Sequence, residues 1–324
     1  MPAKREDAAC CGACGVVHAL EYEWDVARVA HEAWNAEAIP LTCDVEAKAF
    51  LKRCHDESWT WRMRVWWKHH LRTALKRYVS TTDADGWSGA GKMHLVSHVQ
   101  AMKLLHMERG KNKQGCLLDV GAGDGRITEA FAPLFQNTVV LETSYAMVRR
   151  LQAKPYVVLV HDEDETMPLE NVRRRATEAG VPLCEGKWFD AILLLNVLDR
   201  CDEPKSMLAS IRNLLHPTRG KLVLAVVLPF RPFVEDGTRK RIPKEKLPLP
   251  VNCTWEEGVQ LMVERVLVPA GYAVLSVSRA PYLCEGDLHH PVYSLDDAIF
   301  VLRPDLERIK TCSVPCLPAR PVGR

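Results

Sequence analysis

Apolar residues recur along this chain with two different periods, and the change between them divides it. Up to about residue 110 the period is helical. From Val16 to about Trp34, the residues Leu20, Trp24, Ala27 and Trp34 fall roughly on one face. Ile39-Pro40 breaks that pattern, and Asp44 is placed to N-cap a second helix through Arg53. Trp59–Val79 is the most periodic segment. Trp59, Met63, Trp66, Trp67, His70, Leu71, Ala74, Leu75 and Tyr78 make one stripe at i, i+3, i+4 and i+7 spacing. Arg62, Arg64, Lys68, Arg72, Lys76 and Arg77 occupy the other faces, with no acid between Ser58 and Ser80. This predicts a helix packed on a domain with its basic face in water; an anionic membrane or an acidic partner is the alternative use of such a helix. Thr81–Lys92 reads as a Gly/Asp/Ser linker, Val96–Met107 as a helix and Gly110–Gly115 as a turn.

From residue 111 short apolar runs alternate with helical segments, which predicts a doubly wound, mostly parallel seven-stranded sheet. The strands expected are Cys116–Val120, Thr138–Leu141 ending on Glu142, Val157–Val160, Phe189–Leu195, Lys221–Leu228, Tyr272–Ser278 and Ala298–Leu302, the last closing an antiparallel hairpin. The helices between them are Ile127–Leu134, Ser144–Gln152, Leu169–Ala179, Pro204–Leu215 and Trp255–Val268. Residues 161–186 read as a charged loop carrying one exposed helix, and 230–250, Pro-rich and basic, as an active-site loop or lid. Residues 1–15 and 304–324 have compositions that predict disorder, leaving a helical region at 16–110 and an α/β domain at 111–303. No internal repeat is present.

The first of those strands runs straight into Leu-Leu-Asp-Val-Gly-Ala-Gly-Asp-Gly (117–125). Strand, tight turn and helix start require glycine where the backbone takes left-handed φ or a ligand comes close. The third glycine comes one residue too early for the dinucleotide fingerprint G-x-G-x-x-G. An aliphatic run ending in an acid followed by G-x-G-x-G is the form used by class I methyltransferases, whose ligand is S-adenosylmethionine. Ligands of parallel sheets sit beyond the C-terminal ends of the strands. Glu142 ends the second strand, where its carboxylate can accept both ribose hydroxyls. Asp119 and Asp124 suit the methionine amino group or the ordering of the loop, with Ala122 and Thr143 in the same two turns. Asn196 and Asp199 follow the fourth strand on the floor of the pocket and could orient a methyl acceptor; Asp202 reads as the cap of the next helix. Methyl transfer needs little beyond in-line alignment of a neutral nucleophile.

Composition narrows this further. The 324 residues carry 43 basic and 41 acidic side chains for a net charge of +2, so no global field points to nucleic acid. The start, Met-Pro-Ala-Lys-Arg-Glu-Asp, holds no apolar h-region, and no run reaches the length of a membrane span. The twelve cysteines are therefore expected as reduced thiols in a cytoplasmic compartment. Cys10, Cys11 and Cys14 have only His18 nearby, Cys312 and Cys316 lie in the tail, and His69-His70 and His289-His290 are adjacent pairs, so no metal site is expected.

Beyond the glycine loop, the chain carries Asn-Val-Leu-Asp-Arg-Cys-Asp-Glu-Pro (196–204), Pro-Thr-Arg-Gly (217–220) and Val-Leu-Pro-Phe-Arg-Pro-Phe-Val-Glu (227–235) in order. Pro-Tyr-Leu-Cys-Glu-Gly-Asp (281–287) and Leu-Asp-Asp-Ala-Ile-Phe-Val-Leu (295–302) follow. Over roughly 55–303 these closely resemble the DREV family, that of methyltransferase-like protein nine. The resemblance implies an enzyme that moves methyl from S-adenosylmethionine, leaving S-adenosylhomocysteine, to the N1 (pros, π) nitrogen of histidine in protein His-x-His motifs; a monomer is expected. It implies Asp119, Gly121, Gly123, Glu142 and Asn196 as cofactor residues. Asp199 and Tyr293 would grip the imidazole, with Arg200, Tyr282 and Glu285 completing the acceptor contacts. The family also suggests endomembrane or mitochondrial association. This chain departs from it in a longer 161–186 segment, where Asp162 or Glu163 would contact adenine, and in His289-His290-Pro291-Val292 before Tyr293. A class I methyltransferase for a small imidazole or another nucleophile, and a non-catalytic partner-binding module, are the competing readings.

Overall fold

The computed structural model describes residues 34, 36–55, 58–108, 113–160, 169–287 and 290–306. The expectations for residues 1–33, including Cys10, Cys11, Cys14 and His18, for Asp162 and Glu163, for His289 and for the tail beyond 306 lie outside the described residues.

Five strands run parallel to their neighbours: β3 (Gln114–Val120), β4 (Phe135–Glu142), β5 (Val157–Val160), β6 (Ala191–Leu195) and β7 (Lys221–Val227). A long hairpin of β10 (Tyr272–Glu285) and β11 (Val292–Pro304) completes the central sheet, β11 lying antiparallel to both β10 and β7. Two short pieces, β1 (Glu37–Ala38) and β2 (Met93–His94), add to β10. Among the described residues the sheet is thus nine-stranded, in the order β1-β10-β11-β7-β6-β3-β4-β5, with β2 pairing with β10 off that path. Its seven central strands form the expected Rossmann-like sheet; the two extra pieces come from the region that reads as mostly helical.

Both faces of the sheet are covered, which is why its strands are apolar at consecutive positions. Leu118, Ile192, Leu194, Leu224 and Phe300 point into one core. It is closed by α8 (Pro204–Leu214) and α9 (Trp255–Met262). Leu117, Leu193, Val223, Ile299 and Val301 point into the other, against α4 (His98–Leu104) and Phe131 of α5 (Thr128–Phe131). Alternate residues of one strand therefore serve two cores.

The N-terminal region is folded onto this sheet. Asp44 caps α1 (Val45–Cys54), as its position suggested, accepting from the Glu46 and Ala47 amides. Ser97 and Gln100 form a capping box that starts α4. The expected linker at 81–92 is instead largely helical, as α3 (Thr81–Ser88). Its Asp and Gly content is explained by its packing. Asp83 accepts from the hydroxyls of Ser80 and Ser144, and its own amide donates to Ser80 Oγ, tying α3 to the start of α6 (Tyr145–Leu151). Gly86 lies against Ala146, where a Cβ would come within 2.5 Å of the alanine Cβ. Gly89, at φ +68°, ends the helix.

The tryptophan stripe is reversed from expectation. No residue of α2 (Trp59–Leu75) is fully buried. Its inward side, with Trp61, Val65 and Leu75 half-buried, is tied down by two ion pairs, Lys68 to Glu285 at 3.3 Å and Arg72 to both carboxylate oxygens of Asp85. The lid at 230–250 holds a small hairpin of β8 (Val234–Asp236) and β9 (Arg239–Arg241) and is pinned to the body. Asp202, expected to cap α8, instead takes Arg241 and Lys244, which hold its carboxyl well below the usual range, the Arg241 hydrogen bond chiefly. Glu245 from the lid does the capping, accepting from the Lys205 and Ser206 amides at 2.7 and 3.1 Å. The two last strands also exceed their expected bounds, because hairpin pairing carries them beyond the sheet. Replacing Gly86 by Val should lower the unfolding free energy by ~1–3 kcal/mol through overpacking against α6. A urea midpoint matching that of the parent protein would disprove the packing role of Gly86.

Candidate functional site

At the end of β3 the chain turns sharply. The Gly121 amide donates to Leu141 O at 2.8 Å and the Gly125 amide closes a turn on Ala122 O at 2.9 Å. Gly121, Gly123 and Gly125 all have left-handed φ, at +73°, +56° and +73°. A Cβ on Gly121 would meet Val197 at 2.5 Å, whereas one on Gly123 would meet nothing within 4 Å. Gly121 thus serves the fold, and Gly123 leaves a cradle open to a ligand.

Glu142 organises this loop. Its Oε2 accepts from the Gly123 amide at 2.7 Å, and its Oε1 from the Thr143 and Ser144 amides, both at 2.9 Å. Oε1 is filled by its two amide donors, whereas Oε2, with one, keeps lone-pair capacity for a ribose hydroxyl. Asp119 is buried, and its Oδ2 accepts from the Thr128 hydroxyl at 2.6 Å. Burial pushes its carboxyl up to about 7, against the opposing hydrogen bond from Thr128. Asp119, Gly121, Ala122, Gly123 and Asp124 line one cleft together with Met93, Leu195 and Tyr282. Asp124 itself is engaged by Arg126 at 2.8 Å.

A second group stands at the end of β6. Asn196 has φ +57°, a conformation costly for a residue with a Cβ. Its amide nitrogen donates to Asp297 Oδ2 at 2.6 Å. Asp297 is fully buried, and burial raises its carboxyl far above the usual range. Asp199 is buried as well; its Oδ2 takes the Arg200 guanidinium at 2.5 Å, and burial raises its carboxyl. Arg200 in turn lies 3.8 Å from the ring centroid of Phe233, whose amide donates to Asp199 O. Asn196 Oδ1, Asp199 Oδ1 and Asp297 Oδ1 are buried with no hydrogen-bond partner among the described residues. Three such oxygens at one place, each without a partner, call for polar groups of a ligand.

Asn196, Asp199, Arg200 and the cleft residue Tyr282 therefore share one end of the sheet. Tyr293 and Glu285 stand apart from them. Tyr293 is exposed, four residues along β11 from Asp297 and so ~13 Å away at ~3.3 Å per residue. Its hydroxyl donates to Asp287 at 2.9 Å. Glu285 is occupied by Lys68 and by the Lys92 amide. Sequence reasoning missed Asp297 and Phe233 as site residues. Both lie in stretches already singled out as motifs, and an acid just before a buried strand was the available signal for Asp297.

One further group of possible ligand atoms, from Cys184, Glu185 and His216, lies within 4.8 Å of one another. It sits near the Phe189–Leu215 bridge, at the opposite end of β6. His216 Nδ1 accepts from the Thr218 and Arg219 amides, which leaves the proton on Nε2, the nitrogen facing Glu185. Burial also pushes the Cys184 thiol up. Protonated imidazole nitrogen and thiol make a poor metal cage.

The sequence profile of the DREV methyltransferases matches residues 25–174 and 177–304. The chain belongs to the DREV methyltransferase family. Among solved structures it is similar to a Haloferax volcanii methyltransferase in complex with the Trm112 activator, at 19% identity and TM-score 0.31, covering 45% of this chain and 60% of that one. It therefore spans less than two thirds of that protein. The N-methyltransferase NodS of Bradyrhizobium japonicum, with S-adenosyl-L-homocysteine, is similar at 15% identity and TM-score 0.35, covering 64% and 85%. The 1,6-didemethyltoxoflavin-N1-methyltransferase of Burkholderia thailandensis is similar at 18% identity and TM-score 0.37, covering 64% and 77%.

As in its family, the methyl donor of this enzyme is S-adenosylmethionine. The DREV chain's own residues fit it: an open cradle at Gly123, a strand-end carboxylate in Glu142 and a buried acid in Asp119 facing the same cleft. Asp119 gives a pH signature. Burial favours its neutral form, so between about pH 4 and 7 the unliganded native state holds an extra proton and its stability falls as pH rises. A ligand ammonium favours the carboxylate, so affinity for S-adenosylhomocysteine should rise by up to ~10-fold per unit toward pH 7 and then level. Calorimetry on Asp119→Asn should show a flat profile. Gly121→Ala should destabilise the fold by ~1–3 kcal/mol, whereas Gly123→Ala should weaken ligand binding with a smaller loss of stability.

Proposed function

We propose that this DREV methyltransferase transfers methyl to the N1 (pros, π) nitrogen of histidine in His-x-His segments of proteins. The observation that carries the reading is Asp199, buried beside the cofactor cleft with Oδ2 held by Arg200 and Oδ1 lacking a donor. A neutral imidazole has one N–H donor and, on its other nitrogen, one lone pair. With N3–H donated to Asp199, the tautomer is set and N1 is the nucleophile. When bound, S-adenosylmethionine supplies an electrophilic methyl group on a sulfonium.

The remaining residues have matching roles. Arg200, stacked on Phe233, holds the Asp199 carboxylate in one orientation. Asn196, its amide nitrogen held by Asp297, keeps an acceptor oxygen without a partner. Asp199 then faces the positive charge that develops on the methylated ring and is a ready acceptor for its N3 proton. Alternation along β11 puts Tyr293, Leu295 and Asp297 on one face, and the first two are exposed. Such a surface leading away from the cleft supports a chain-like acceptor over a small imidazole compound.

Purified full-length protein with labelled cofactor should modify a His-x-His peptide, at N1 by NMR, and leave a carnosine-like dipeptide unmodified. Asp199→Asn should lower kcat by ~10²–10⁴ while S-adenosylhomocysteine affinity by calorimetry stays near the parent value. Glu142→Ala should weaken the cofactor and spare acceptor recognition. Labelling of the dipeptide alone would assign the site to small molecules, and a fully active Asp199→Asn would remove Asp199 from the acceptor site.

A further inference from the structure

A surface helix ordinarily turns its apolar stripe to the core. The helix α2 does the opposite. Trp59 is 74% exposed, Trp67 66%, Met63 47% and Trp66 44%, with Leu71 also exposed, while the apolar residues on its inward side, Trp61, Val65 and Leu75, are only half-buried. That side is held by the Lys68–Glu285 and Arg72–Asp85 ion pairs, so the stripe is not used to attach the helix. We propose that the outward face of α2 docks on an anionic bilayer surface.

The side-chain chemistry favours that occupant. Tryptophan and methionine suit the boundary between headgroups and acyl chains. At about 100° per residue, Arg62 and Arg64 fall on either side of the stripe, both exposed and without a side-chain partner among the described residues. From there they can reach lipid phosphates while Trp59 and Trp67 enter the interface. The helix contains no acid, and Arg77 and the exposed Tyr78 follow it, so the whole face is of one sign. A second copy set against it by two-fold symmetry would bring like charges together. Because Lys68 reaches Glu285, the docked helix would hold the end of the β10–β11 hairpin near the lipid surface.

Full-length protein should co-sediment with phosphatidylcholine vesicles containing roughly a third phosphatidylserine, with a blue shift of tryptophan emission. Binding should fall steeply as salt is raised. Trp59→Ala with Trp67→Ala should reduce it at least ~10-fold, and Arg62→Glu with Arg64→Glu by about 5-fold or more per arginine. Both double variants should keep the parent melting temperature and S-adenosylhomocysteine affinity, since all four side chains are exposed. No sedimentation of the parent protein at low salt would overturn the proposal, as would equal binding to pure phosphatidylcholine. Dimers by light scattering that dissociate in the tryptophan variant would reassign the face to self-association. None of these outcomes depends on which nucleophile accepts the methyl group.

Discussion

Carboxylates taken out of water at neighbouring strand ends impose the main constraint on this molecule. Asp119, Glu142, Asp199 and Asp297 are all buried, and an unpaired charge there would cost several kcal/mol each. The surrounding chain is arranged as the answer to that cost. Backbone amides of the glycine loop serve Glu142, a threonine hydroxyl serves Asp119, an asparagine amide serves Asp297 and a guanidinium serves Asp199. What stays unanswered, an oxygen each on Asn196, Asp199 and Asp297, marks where a ligand's polar groups belong. Stabilising contacts and binding capacity are thus divided among the oxygens of the same groups.

The elements outside the sheet act through these acids. Helix α3 reaches the glycine loop by way of Asp83, whose bond to Ser144 lies two residues from Glu142. The lid is secured by Asp202 and by Glu245, and Phe233 from the same segment steadies Arg200 and through it Asp199. Peripheral segments with low helix propensity therefore have a definite place. Their local preference is weak, and tertiary hydrogen bonds decide their conformation. The tryptophan helix is the exception, tied down by two ion pairs and presenting Trp59, Met63, Trp66 and Trp67 outward.

The sheet and the cofactor end of the site were legible in the sequence because both depend on short-range patterns. Consecutive apolar residues declare a strand covered on both faces, and the run from Leu117 to Gly125 joins such a strand to the only turn it can make. Glu142, Asn196 and Asp199 could be named since strand ends are where ligands of parallel sheets bind. Helix α3 escaped notice because Gly86 and Asp83 look like turn residues until Ala146 and Ser144 stand beside them.

By itself, the sequence determined the order of strands and helices, the glycine turn and the acids that end the strands, since these follow from periodicity and from φ values that only glycine adopts freely. The tertiary structure alone decided which acids meet. Asn196 and Asp297, 101 residues apart, form one hydrogen bond only because β11 inserts antiparallel beside β7. It also decided the orientation of α2, whose periodicity shows a stripe but not the direction in which it points, and the position of Tyr293 on the hairpin, beyond the cluster that holds Asp199. Local pattern specifies which faces a segment has; packing and long-range ion pairs specify what each face meets.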